Sequence, residues 1–206
     1  MGNILKIIGN DSTKDFAKDL VSMGTQEILK NYSDIASGFP IVSGIVAIWK
    51  TGLGIHDAFL LKDLANFYYG VYESIPVEDK LLSKIAEEGH ASDLLAEFTL
   101  RLISTNNKPN QTRVLGWLFY AVAANEITEE EYMRLCVYVH DCFANDIRRL
   151  KEFKGEEANK DFITDSFFRA GLLDMKDMIW TGGTICTLSL LGTKFYQILN
   201  SHEFFD

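Results

Sequence analysis

The sequence predicts a mainly α protein: a multi-helix bundle with a small C-terminal winged-helix-like α/β-hairpin element. Three observations carry that expectation. Only 3 of the 206 residues are proline, and the glycines gather at a few joints, which favours long helices. Apolar residues recur at three- and four-residue spacing along most of the chain. The one β-rich run, Thr184–Leu188, follows Thr181-Gly182-Gly183, whose glycines supply the positive dihedrals of a hairpin turn. The expected division is a bundle over 1–154 and the winged-helix-like element over 155–206.

Each element has its own signal. Asp11, Ser12 and Thr13 offer caps for a helix over 13–32, with Ala17, Leu20, Val21, Gly24, Ile28 and Tyr32 on one side. Gly38-Phe39-Pro40 breaks the chain and opens its most apolar stretch, 39–72. Its first arm, 39–49, is too short to span a bilayer, which needs about 20 apolar residues. Lys50, Gly52 and Gly54 form a joint. The second arm, 55–72, is amphipathic. His56, Lys62, Asp63, Asn66 and Glu73 mark its polar stripe, and Phe59, Leu64, Phe67, Tyr68 and Val71 its apolar remainder.

Ser74 caps a helix ending near Gly89, with Pro76 in its first turn. The next helix covers 91–103, with Leu94, Leu95, Phe98 and Leu102 inward, and 105–110 reads as a loop. Val114, Leu115, Leu118, Phe119 and Val122 then form a strong apolar stripe. Thr128 and Glu131 have capping-box spacing, starting a helix that runs to about Phe143 with Tyr132, Leu135, Cys136, Val139 and Phe143 inward. A turn at 144–146 leads to 147–153. A helix over 159–170 ends at Gly171, the hairpin follows, and a helix over 190–200 closes the chain.

The formal net charge is −9, and 73–144 carries most of it, with twelve acidic against six basic residues. Such a surface repels phosphate backbones, so sequence-independent nucleic-acid binding is disfavoured. Three cysteines without framework spacing, and a start lacking signal-peptide pattern, lead to the expectation of a cytoplasmic protein in a reducing compartment.

Candidate chemistry is sparse. Cys136 and His140 stand four apart, the spacing of half a metal site, but no second pair of ligands is evident. His140, Asp141 and Cys142 have the residue types of a base, orienter and nucleophile. Neighbours on a helix point about 100° apart, so a relay among them is not expected. His56-Asp57 reads as a solvated helix start. Gly182-Gly183 lacks the lysine and hydroxyl of a phosphate loop. Glu129, Glu130 and Glu131 are accounted for by the cap. No catalytic residue, metal or cofactor is therefore predicted, and the chain is not expected to be an enzyme.

The segments FPIVSGIVAIWKTGLGIHDAFLLKDLANF, RVLGWLFYAVAANEITEEEYMRLCVYVHDCF and LSLLGTKFYQIL together resemble a group of uncharacterised bacterial proteins. The resemblance implies a bacterial or prophage origin, in neighbourhoods associated with defence against phage. It carries no catalytic residue.

The expected function is a non-enzymatic protein-interaction or regulatory module, acting on a protein partner or by self-association. One alternative is a membrane-active effector that releases the 39–72 hairpin, for which Phe39, Ile41, Ile45, Ile48, Trp49, Phe59 and Phe67 form the contact segment. Asp57, Lys62 and Asp63 oppose it, at about 2.5–3.5 kcal/mol each at a helix centre. A further alternative is a winged-helix DNA-binding regulator. Its insertion helix, NKDFITDSFFRA, has no net charge and is crowded by Phe162, Phe167 and Phe168, which suits packing or protein contact better than phosphates.

Overall fold

The computed structural model describes residues 18, 19, 22, 55–74, 93–105, 108–158, 161–178 and 184–205. The helix expected over 13–32 falls largely outside them. Wholly outside lie the first arm of the hairpin, the helix expected after Ser74 and the Thr181-Gly182-Gly183 turn. The described residues are mainly helical, with one small antiparallel sheet near the C-terminus. Contacts divide the chain between Ala124 and Asn125, whereas the sequence placed the boundary at 154/155.

The first unit contains α1 (Ile55–Ser74), α2 (Asp93–Thr105) and α3 (Pro109–Ala123). Pro109 occupies the first helical position of α3, where its missing N–H removes no bond. Two residues of the expected loop are thereby part of the helix. Helices α1 and α3 run antiparallel: Phe67 meets Phe119 edge-on at 5.5 Å, while Glu73 pairs with Arg113. Two glycines set their closeness. A Cβ on Gly70 would collide with the Arg113 carbonyl, and one on Gly116 with the Phe67 carbonyl. At their C- and N-terminal ends respectively, the Arg113 guanidinium forks onto the Glu73 carboxylate, with Nε 2.6 Å from Oε2. It also lies over the Tyr69 ring at 4.8 Å.

The polar stripe expected on α1 is corrected here. Asp63 is 5% exposed and Asn66 is buried as well, while Phe59 is 54% exposed. Asn66 tolerates burial because its side-chain amide donates to the Lys62 carbonyl at 2.9 Å. Asp63 adapts differently: loss of water pushes its carboxyl up to about 7, against a smaller opposing pull from Lys62.

The second unit begins with α4 (Glu129–Asp141), followed by α5 (Ala144–Arg148), a 3-10 turn over Arg149–Glu152, β1 (Lys154–Ala158), α6 (Phe162–Arg169), β2 (Leu173–Met178), β3 (Thr184–Leu188) and α7 (Leu190–Ser201). The capping box forms: Thr128 Oγ1 accepts from the Glu131 amide at 3.2 Å, and the Glu131 carboxylate accepts from the Thr128 amide at 2.8 Å. Lys194 of α7 also donates to that carboxylate at 2.8 Å, and this contact is the largest cause holding its pKa below the usual range.

The strands are ordered β1-β3-β2, all antiparallel, so β3 is central. The sequence did not announce β1, a polar segment that becomes a strand by pairing. Gly171 has φ +74°. The Leu172 amide donates to Phe167 O and the Gly171 amide to Phe168 O, so α6 ends in a Schellman turn. Ser189 joins that turn to α7, donating to Gly171 O at 2.6 Å and accepting from the Gly192 amide at 2.9 Å. Phe167 centres the core, with Phe153 at 5.4 Å and Tyr138 at 5.8 Å.

Candidate functional site

Helices α4 and α6 enclose an open groove of about 770 Å³ within the second unit. Its α4 wall is one helical face: Met133, Arg134, Val137, Tyr138 and Asp141. Phe162, Ser166 and Arg169 form the α6 wall, and Cys142, Phe143 and Asp146 continue it beyond α4. The groove is apolar where apolar side chains are normally hidden. Val137 is 45% exposed, Phe143 67% and Phe162 81%.

Phe143 corrects the expectation of an inward residue. α4 stops at Asp141, and Cys142 and Phe143 have extended backbone, with ψ of 168° and 147°. The helical phase that would have turned Phe143 inward is lost two residues too soon. Phe162 begins α6 behind the Asp161 cap. That cap accepts from the Thr164 amide at 2.8 Å and from Arg149 at 2.7 Å. The two contacts, the amide first, lower its carboxyl to about 2. The phenylalanine triad thus divides: Phe167 is buried, Phe168 half-buried and Phe162 projects outward.

Under the groove lies a buried polar atom. The Tyr138 hydroxyl has no hydrogen bond of normal geometry, although Cys142 and Ser166 lie beside it. Burial, reinforced by Cys142, raises its pKa.

Cys136 is fully buried, and burial pushes its thiol up, which suits a small core hydrophobe. Among the described residues, no group of three or more His, Cys, Asp or Glu is placed to hold a metal ion. His140 and Asp141 do meet, against expectation, with Nδ1 2.9 Å from Oδ1. At the exposed end of α4, rotation about their side-chain bonds brings ring and carboxylate together although their Cβ directions diverge. Glu130 is bonded to Arg134 at 3.0 Å, and Glu131 to its cap and Lys194.

Of the apolar contact segment, Phe39, Ile41, Ile45, Ile48 and Trp49 fall outside the described residues. Phe67 is buried against Phe119, and Phe59 is exposed. Among the described residues, no helix is long and apolar enough to cross a membrane. The sequence missed the groove because it arises where two helices meet. Its one legible trace was the aromatic crowding around Phe162. Comparisons with protein-family models, curated proteins and solved structures found no match.

Proposed function

We propose that this chain is a non-enzymatic protein-interaction or regulatory module whose contact surface is the α4/α6 groove. A bacterial anti-phage or prophage setting, implied by the sequence resemblance, belongs to the same proposal. The supporting observation is the outward placement of Val137, Phe143 and Phe162 around one concavity. Scattered exposed apolar residues need no explanation, but a cluster rimmed by charges suits burial by a partner. Tyr138, Met133, Arg134 and Arg169 add the residue types over-represented at protein interfaces.

The test is photo-crosslinking in the producing cell, with the probe amino acid at position 143 of the full chain. A discrete protein adduct is expected. It should disappear with Phe162→Asp and be absent when the probe replaces exposed Gln197, outside the groove. No protein adduct at position 143, or the same adducts from both positions, would overturn the reading.

A further inference from the structure

The groove is charged differently at its two ends. Tyr138 on α4 lies beside Ser166 on α6, fixing the middle of both walls. Arg134 shares a neighbouring concavity with Gly171, so Arg134 and Arg169 stand at one end. Asp141 and Asp146 stand at the other, with Phe143 and Phe162. Glu130 already pairs with Arg134, and His140 with Asp141, which leaves Arg169 and Asp146 as the opposed charges of the two ends. From Arg134 to Asp141 the wall rises about 10 Å, or two helical turns.

The walls are made of side chains. The backbone groups of two helical walls are already paired, so an extended peptide lying between them would gain no ladder of bonds. It would rely on water for its own N–H and C=O groups. A helix satisfies those groups internally and presents apolar side chains at i, i+3 or i+4, and i+7, which span the same two turns. It would also cover Phe143 and Phe162 at the rim, which a small molecule seated between the walls leaves in water.

We propose that the groove receives an amphipathic helix of a partner protein, in contact over about two turns. That helix is acidic where it meets Arg169 and basic where it meets Asp146. This rests on the reading of the chain as an interaction module and names the class of partner.

The test selects a displayed library of helix-stabilised peptides about four turns long against the full chain, with affinities read by fluorescence anisotropy. Enriched sequences should carry the i, i+3/i+4, i+7 apolar pattern, with an acidic residue at one end and a basic one at the other. Phe162→Asp should weaken them at least tenfold; Phe162 is so exposed that the fold survives its replacement. Arg169→Glu should weaken them several-fold, with recovery when the peptide's acidic residue becomes lysine.

Absence of enrichment, enriched sequences without the spacing or charge order, or unchanged affinity for both variants would overturn the proposal. So would displacement of selected peptides by dodecanoate at micromolar concentration, which would mark a small-amphiphile site. The two readings fail separately. A cellular protein adduct at position 143 formed through an extended segment removes the helix and keeps the module; no protein adduct removes the module.

Discussion

Asp63 shows how far a single buried carboxyl sets the behaviour of its surroundings. Its folded pKa, near 7, lies above the ordinary value of 3.8, so the folded chain binds this proton more tightly than the unfolded chain. The resulting stability is complete below about pH 4 and is lost as pH rises through 7. Urea unfolding should give a stability roughly 1–3 kcal/mol lower at pH 8 than at pH 5, and Asp63→Asn should flatten that slope. A carboxyl resonance titrating near 4 would refute this account. Tyr138 gives the opposite kind of test. Its hydroxyl is buried without a hydrogen bond of normal geometry, so Tyr138→Phe removes a desolvation cost and no well-formed bond. The variant should be as stable as the parent, or more stable by up to about 1 kcal/mol; a lower melting temperature would reveal a bond. Neither role was legible in the sequence. Asp63 fell on a polar stripe, and Tyr138 fell outside the predicted inward set, because burial depends on neighbours brought from elsewhere in the chain.

At the scale of elements, the crossing of α1 and α3 depends on Gly70 and Gly116. Alanine is the better helix former by about 1 kcal/mol, so propensity alone favours Gly116→Ala. The new methyl would strike the backbone at Phe67 and Val71, atoms that no rotamer change removes. Overpacking of this kind costs about 1–3 kcal/mol, and it should win. Net destabilisation, read from urea unfolding, is the expected result; an unchanged midpoint would mean that the helices separate cheaply. Elements with local signals were legible. The Thr128/Glu131 box and the Gly171 stop are written in adjacent residues, because the groups that satisfy a helix end lie within a turn of it. The exposure of Phe143 was not, since α4 ends at Asp141 without a glycine or proline to announce it. Nor was β1, whose strand character comes from β3.

Across the whole molecule, charge and surface pattern separate the remaining alternatives. A net charge of −9 opposes a polyanion, and α6 brings only Arg169 among its described residues. A gel shift with duplex DNA should therefore show no retention, even at about 50 mM salt. Retention that weakens with added salt would revive the DNA-binding alternative. The fold class was legible from periodicity. The groove was not, because periodicity ranks the faces of one helix and is silent about which helices become neighbours. The paired glycines reach furthest in consequence. A lineage drifting from this chain can exchange Phe67 or Phe119 for other apolar residues of similar bulk and repack around them. It has no such freedom where two main chains touch, because nothing smaller than a hydrogen atom exists to be traded. Any divergent descendant that keeps this crossing should retain glycine at both places, and recovering such sequences would expose the constraint without a single measurement on the protein.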